Sequence, residues 1–287
     1  MKEIADAKAP RGGDEEEKKE ADMAQVCLFS ATIPSWVKGV AQKHMKSGHK
    51  YFDLAGDLKN KTSQTVNHLA INCPFYNRTS TLGDLLLCYK GLNGKAIVFT
   101  QTKADANAII LAENMTEVEV LHGDIAQNQR EVTLKRFREN KFKVLVATDV
   151  ASRGLDIPDV DLVVQLEPPK EVETYIHRSG RTARAGKSGT CITFFTAKTQ
   201  YLVQNIERHA GITLKKIGAP QPEEIIKASG KGVIEALDKV NETVLPHFEE
   251  TADLLIKDKG AQKAVQLALA YISGNTEGIT KRSMLTA

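Results

Sequence analysis

Short runs of Val, Ile, Leu and Phe alternate with helical segments from Val66 to Phe195, and this alternation constrains the fold more than any other feature. The runs predict strands at VNHLAINC, KAIVFT, VEVLH, KVLVAT, DLVVQL and GTCITFF. Apolar runs separated by helices are typical of a parallel sheet that is covered on both faces. The sequence therefore predicts an α/β fold. Ligands of such sheets bind beyond the carboxyl ends of the strands, where Thr100, His122 and Thr148 fall.

A smaller unit precedes this sheet. VCLFSAT, residues 26–32, predicts a buried strand that leads into a loop, and Pro34 predicts the start of a helix. YFDL, residues 51–54, predicts a second strand. The stretch AGDLKNKTSQ that follows has no apolar periodicity, and we interpret it as a linker.

The pattern changes again after KKIGAP, because residues 221–287 contain helical stripes and no convincing strand. One stripe consists of Phe248, Ala252, Leu255 and Ile256, and a second of Ala261, Ala264, Val265, Ala268, Leu269 and Ile272. Two interpretations stay open. The helices cover the preceding domain, or they form a surface for self-association, since an alanine-rich stripe lets another helix approach closely.

Composition and charge exclude some classes of protein. The chain is 41% hydrophobic and 26% charged, and it has no run of about 18 apolar residues that would predict a membrane span. The charged start, MKEIADAKAPRGGDEEEKKE, lacks the apolar centre of a secretory signal. Four cysteines without CxxC spacing indicate reduced thiols in an intracellular protein, and no metal site is predicted. A net charge of +3 is only a weak indication of nucleic-acid binding.

Four short motifs occur in a fixed order on this framework. They are SAT at 30–32, HGDIAQNQR at 122–130, VATDVASRGLDIP at 146–158 and YIHRSGRTARAG at 175–186. The last motif is suited to phosphate because guanidinium groups are planar forks that match phosphate oxygens. For an isolated arginine series of this kind, a solvated surface is the more common interpretation. Together and in this order, the four motifs are highly specific.

From about Val26 to Ala219 the chain resembles the second half of a DEAD-box RNA helicase. The longer stretches HGDIAQNQREVTLKRFR and GITLKKIGAPQPEEIIKAS resemble the nucleolar RNA helicase II, or Gu, group of that family. The resemblance implies a RecA-like parallel sheet with helices on both faces. The implied domains are the end of a first RecA-like domain at 1–55, a linker at 56–65, a second RecA-like domain at 66–219 and a helical dimerisation-type extension at 220–287.

The resemblance also implies the role of each motif residue. Arg181 and Arg184 would be catalytic arginine fingers that reach the γ-phosphate of ATP. The residues that would bind ATP are Gly154, Asp156, Arg181 and Arg184, with Asp156 at the ribose. The residues that would contact the RNA backbone are Gln127, Arg130 and Thr148. Those that would link the domains and couple the two sites are Ser30, Thr32, Asp149, Arg153 and His177. Ala183 stands where the family often has glycine, and we expect no loss of function from it.

Two family motifs are not found in the 287 residues: a G-x-x-x-x-G-K-[ST] loop and an Asp-Glu-Ala-Asp box. We therefore expect ATP and Mg²⁺ to be bound mainly by a first RecA-like domain, and the chain alone to have no ATPase activity. The hypothesis is the C-terminal half of an ATP-dependent RNA helicase. Its partners would be RNA, the first RecA-like domain and a second copy bound through residues 220–287, and it would not bind a membrane. Its location would be nuclear and nucleolar.

Two alternatives remain. The chain could be a non-enzymatic module that binds RNA and dimerises, or part of another nucleic-acid ATPase of the same superfamily, such as a DNA translocase. The series of motifs favours the RNA group over the second alternative.

Overall fold

The computed structural model describes residues 24–29, 35–46, 48–52, 65–90, 94–112, 115, 117–149, 160–183 and 188–276. The chain divides into two compact units, Met1–Leu58 and Lys59–Ala287, which are described separately. The division into four segments expected from the sequence stays a prediction. No described helix is both long enough and apolar enough to cross a bilayer.

The first unit contains helix α1 (Ser35–His44), which begins one residue after Pro34, the predicted start. The two predicted strands of this unit are wrong over the residues that the structure describes. Residues 26–29 and 51–52 are not strands, and their rings are exposed, Phe29 at 92% and Phe52 at 73%. A short apolar run forms a strand only when another backbone pairs with it, and no strand occurs among the described residues of this unit.

The second unit contains a sheet of seven parallel strands in the order β3-β4-β2-β5-β6-β1-β7. The strands are β1 (Val66–Asn72), β2 (Ala96–Thr100), β3 (Val118–Leu121), β4 (Val144–Thr148), β5 (Leu162–Gln165), β6 (Gly189–Phe195) and β7 (Lys215–Ile217). Every residue of β2, β4 and β5 is buried. The predicted parallel α/β sheet is therefore confirmed.

Strand β7 was not predicted. It is three residues long, pairs with Leu69–Ile71 of β1, and exposes Lys215 and Lys216. Two lysines in three residues give no apolar signal. Charged, short strands of this kind are common at the edge of a sheet.

Helices cover both faces of the sheet. They are α2 (Arg78–Leu85), α3 (Lys103–Ile110), α4 (Gln127–Arg138), α5 (Val172–Ser179) and α6 (Gln200–Ala210). One face packs around Phe99, Phe137 and Tyr175. The other packs around Leu82 and Leu85, and α2 continues into a π-helical turn, Leu86–Lys90.

The strand register shows which residues lie where the strands begin and where they end. We call these two borders of the sheet the amino edge and the carboxyl edge. At the carboxyl edge Thr100 pairs with Thr148, and Phe99 pairs with Gln165. At the amino edge Val66 pairs with Gly189. Residues that precede a strand therefore lie at the amino edge, and residues that follow one lie at the carboxyl edge.

The remaining elements are helical, as predicted for the described residues after 221. They are α7 (Pro222–Leu237), a 3₁₀ segment (Glu242–Phe248), α8 (Glu249–Lys259) and α9 (Ala261–Ile272). A capping box between Gln221 and Glu224 starts α7, which packs on the π-helical turn. The sequence left two interpretations of the apolar stripes open. The structure does not support the first, in which the stripes are buried against the preceding domain. Phe248, Val265 and Ile272 are 57–61% exposed, while Ala264 is buried.

Candidate functional site

The three predicted RNA-contact residues lie at the carboxyl edge of the sheet. Thr148 is the last residue of β4 and is 8% exposed. Gln127 and Arg130 lie in the first turn of α4, which follows β3 after a short loop. Arg130 Nε donates to the carbonyl of Ile125 at 2.8 Å, and Nη2 donates to that of Gly123 at 2.9 Å. These bonds fix the arginine against its own loop, whereas Gln127 is exposed.

Asp149 follows Thr148 and pairs with a buried arginine. Its two carboxylate oxygens accept bonds of 2.7 Å from Nε and Nη2 of Arg178 on α5. The Arg178 side chain is 2% exposed and that of Asp149 29% exposed. A fork that meets both oxygens of a carboxylate is stronger and more directional than a single charged contact. Removing one member of a buried pair leaves an uncompensated charge. The loss of either partner is therefore expected to cost about 3–5 kcal/mol of folding free energy.

Further contacts hold Arg178 in the core. Nη1 donates to Gln165 Oε1 at 3.2 Å, and the guanidinium carbon lies 5.3 Å from the centre of the Phe99 ring. Phe99 belongs to β2, which lies between β4 and β5 in the sheet. The arginine thus crosses β2 and joins the ends of its two neighbours.

Polar contacts continue from Gln165 into the core. Gln165 Nε2 donates to Cys191 Sγ at 3.4 Å, and the Tyr175 hydroxyl lies 2.8 Å from His68 Nδ1. Burial raises the pKa of the Cys191 thiol to about 11 and raises that of Tyr175 well above its usual range. Burial also lowers the pKa of His68 to about 4. At neutral pH these three groups are therefore uncharged.

Arg181 lies at the opposite edge. Its carbonyl accepts a 3.1 Å bond from the backbone N–H of Val160, two residues before β5. The next residues lie beside the starts of other strands, since Thr65 Oγ1 donates to the carbonyl of Ala183 at 3.2 Å just before β1. The arginine is half-buried. Its backbone is thereby fixed at the amino edge, a full strand length from Thr148.

The turn after Arg181 includes Ala183, the residue that departs from the family pattern. Ala183 has a φ of 60°, a left-handed conformation that glycine adopts without steric cost. Gly189 lies against the same turn. A Cβ at Gly189 would overlap Thr182 Oγ1 and fall 2.7 Å from the Ala183 nitrogen. Only glycine fits at 189 unless the turn moves.

The other predicted site residues divide into two groups. His177 is exposed on α5, one residue before Arg178. Those outside the described residues are Ser30, Thr32, Arg153, Gly154, Asp156 and Arg184. Among the residues that the structure does describe, no three His, Cys, Asp or Glu side chains form a cluster that could hold a metal ion.

The sequence reasoning missed the role of Arg178. The first arginine of the RxxRxxR series could be read as a solvated residue, but it is among the most buried polar residues of the chain. A usable signal was present. Arg178 follows the buried Tyr175 by three residues on the same helix, so both lie on the inward face.

Two parts of this chain each match a known domain family. Residues 77–186 match the helicase conserved C-terminal domain, and residues 221–272 match the DDX21/DDX50 dimerisation domain. Nucleolar RNA helicase 2 of Rattus norvegicus is 50% identical over 273 residues, which are 94% of this chain and 34% of that protein. The ATP-dependent RNA helicase DDX50 of Homo sapiens is 46% identical over 267 residues, which are 93% of this chain and 36% of that protein. The chain spans about a third of the length of these relatives.

Solved structures show the same fold. Dbp5 of S. cerevisiae, bound to RNA and ADP BeF3, matches with a TM-score of 0.57 at 31% identity, over 66% of this chain and 50% of that chain. The E. coli DEAD-box protein SrmB, bound to regulator of ribonuclease activity A, matches with a TM-score of 0.50 at 33% identity, over 54% of this chain and 92% of that chain. The RecA-like sheet, the two matching domains and these relatives show that the chain belongs to the DEAD-box RNA helicase family, in the group that contains nucleolar RNA helicase 2 and DDX50.

Proposed function

We propose that the chain is the C-terminal half of an ATP-dependent RNA helicase, which couples ATP hydrolysis to the unwinding of RNA duplexes or the remodelling of RNA–protein complexes. The observation that supports this most is the separation of the two predicted contact sets. Thr148 and Arg130 lie at the carboxyl edge of the sheet, and the backbone of Arg181 lies at its amino edge. RNA and nucleotide could therefore contact the same domain at once.

The nucleotide-facing part of the proposal centres on Arg181 and Arg184. Planar guanidinium groups stabilise the charge that spreads over the transferred phosphoryl oxygens, and such fingers are worth roughly 10³–10⁵ in rate. Gly154 and Asp156 would contact the nucleotide, with Asp156 at the ribose. ATP would be held mainly by the first RecA-like domain. Mg²⁺ bound there would neutralise charge on the β- and γ-phosphates.

The RNA-facing part assigns Gln127, Arg130 and Thr148 to the sugar–phosphate backbone. Contacts of this kind position a strand without reading its bases, which suits an enzyme that acts on many sequences. Ser30, Thr32, Arg153 and His177 would link the domains and the two sites. The names of the relatives also support a nucleolar location for this chain.

Two measurements test the enzyme proposal. The 287-residue chain alone is expected to release no phosphate from ATP above background when RNA is added, and turnover at a helicase-like rate would contradict this. In a longer protein that contains both RecA-like domains, Arg181→Ala or Arg184→Ala should lower RNA-stimulated turnover by about 10³-fold or more. Arg208→Ala, on the exposed side of α6, is the control. Unchanged turnover in both finger variants would overturn the assignment.

The two alternative functions predict different results in binding and ATPase assays. A non-enzymatic module would bind RNA with a strong salt dependence but give no RNA-stimulated turnover even with the first RecA-like domain present. A DNA translocase would be stimulated by DNA at least as well as by RNA. Comparing the two nucleic acids in the ATPase assay separates these cases.

A second proposal concerns the helices after Pro222: they pair two copies of the chain. Residues 221–272 match a dimerisation domain, and this part of the chain exposes many large apolar side chains. Those exposed by more than half are Ile234, Leu245, Phe248, Leu254, Val265, Tyr271 and Ile272. Such a concentration of exposed apolar groups is typical of an interaction surface.

A further inference from the structure

Two aromatic rings lie on the surface just after β1 ends. Phe75 and Tyr76 are 70% and 82% exposed, although phenylalanine is among the residue types that are most often buried. They belong to a short 3₁₀ turn, Phe75–Asn77. Because β1 is parallel to its neighbours, this turn lies at the carboxyl edge of the sheet. The rings are therefore at the same edge as Thr148 and Arg130.

The turn that carries the two rings is held in place from both ends. The backbone N–H of Asn77 donates to the carbonyl of Pro74 at 3.0 Å. The guanidinium carbon of Arg78 lies 5.1 Å from the centre of the Phe75 ring, and Nη1 of the same arginine donates to Glu167 at 2.6 Å. A ring that is already fixed loses little conformational freedom when a ligand stacks on it.

The edge between Thr148 and the rings is suited to a polyanion. Strands β2, β5 and β6 lie between β4 and β1, so the two outer strands are about 19 Å apart. Exposed lysines follow two of the intervening strands, Lys170 after β5 and Lys198 after β6. The carboxylate of Glu167, which also follows β5, is paired with Arg78. An RNA strand that continues from Thr148 along this edge would pass these cations before it reaches the rings.

We propose that Phe75 and Tyr76 form a base-stacking platform for single-stranded RNA, beyond the part of the RNA that Thr148 and Arg130 contact. Stacking tolerates any sequence, because every base has a π-face. A protein partner is the other ligand that exposed rings can bind, but the lysines along this edge favour a nucleic acid. The inference rests on the proposed function and extends it from the RNA backbone to the bases.

The experiment measures RNA affinity by fluorescence anisotropy in a protein that contains both RecA-like domains. Phe75→Leu and Tyr76→Leu keep an apolar side chain but remove the ring. Each should weaken the binding of a single-stranded RNA of about 20 nucleotides by roughly fivefold to a hundredfold. Phe75→Tyr and Tyr76→Phe are the matched controls, because they keep the ring, and they should bind this RNA as the unsubstituted protein does.

A second readout removes the bases instead of the rings. Two further RNAs have the same length and phosphates but are abasic over the 5′ half or the 3′ half. One of them should bind the unsubstituted protein as weakly as the intact RNA binds the leucine variants. The leucine substitutions should cost nothing more with that RNA, since the ring and the base make one interaction. The salt dependence of binding should stay unchanged in the leucine variants, because no phosphate contact is lost.

The possible results separate the inference from the function on which it rests. Equal affinity of the leucine variants and the unsubstituted protein for intact RNA would overturn the inference and favour a protein partner for the rings. An equal loss in the ring-keeping variants would also overturn it. Thermal unfolding of the 287-residue chain checks that each variant folds, and the abasic comparison needs no variant if one does not. If the unsubstituted protein binds no RNA, the proposed function fails and this inference fails with it.

Discussion

His68 Nδ1 lies 2.8 Å from the hydroxyl oxygen of Tyr175, and both side chains are buried between the sheet and α5. The second ring nitrogen, Nε2, has no hydrogen-bond partner among the described residues. The pKa of His68 is accordingly lowered to about 4 by burial.

The lowered pKa gives a stability that depends on pH. Between about pH 6.5 and 4 the unfolded chain binds a proton at His68 that the folded chain does not, so stability falls as pH falls through this window. The full loss is about 3 kcal/mol for a shift of this size. Urea unfolding of the 287-residue chain between pH 7 and 4 measures it. His68→Asn should flatten this part of the profile, and His209→Asn, on the surface of α6, should not.

Gly189→Ala should destabilise the second unit. The added methyl group would overlap Thr182 Oγ1 and the Ala183 nitrogen, so the turn or β6 must shift. Overpacking of this kind costs on the order of 1–3 kcal/mol. Gly230→Ala is the control, because its Cβ would meet nothing within 4 Å and α7 should gain up to about 1 kcal/mol. Equal midpoints in urea for Gly189→Ala and the unsubstituted chain would show that the turn moves freely.

Ala183→Gly should stabilise the chain slightly. A left-handed alanine costs about 1–2 kcal/mol, and the greater freedom of glycine in the unfolded chain offsets roughly 0.5–1 kcal/mol of the gain. We expect a rise in Tm of a few degrees at most. Ala147→Gly in the buried strand β4 makes the opposite comparison and should lower Tm. A lower Tm for Ala183→Gly would mean that its methyl contacts outweigh the backbone strain.

Charged substitutions on the terminal helices should separate the proposed dimer. Leu254→Glu together with Val265→Glu places two carboxylates on the exposed surfaces of α8 and α9. Multi-angle light scattering at tens of micromolar should give a dimer mass for the unsubstituted chain and a monomer mass for the double variant. Leu111→Glu, 82% exposed after α3, should leave the dimer intact. A monomer mass for the unsubstituted chain would count against the proposal.

The sequence predicted six of the seven strands, and most clearly the central strands β2, β4 and β5, because each of these is an apolar run in which every residue is buried. It failed for residues 26–29 and 51–52, where equally apolar runs lack a pairing strand among the described residues, and for β7, where pairing occurs without an apolar run. Pairing is a tertiary property, and local composition reports it most clearly when the strand is apolar and buried.

The candidate site was predicted by motif and not by geometry. The motifs give which residues belong together, but the buried position of Arg178 depends on an aspartate that is 29 residues earlier and lies just after β4. No local pattern encodes that pairing. The left-handed Ala183 and the close approach of Gly189 to its turn, which leaves no room for a methyl group, were equally hidden, because both depend on the approach of β6 to the turn.

The two lysines of β7 have a consequence for assembly. A sheet can accept a further strand along an unpaired edge strand, and many proteins aggregate by this kind of pairing. At β7 an incoming strand would meet Lys215 and Lys216 on a ladder only three residues long. Copies of this protein are thus discouraged from joining sheet to sheet at that border.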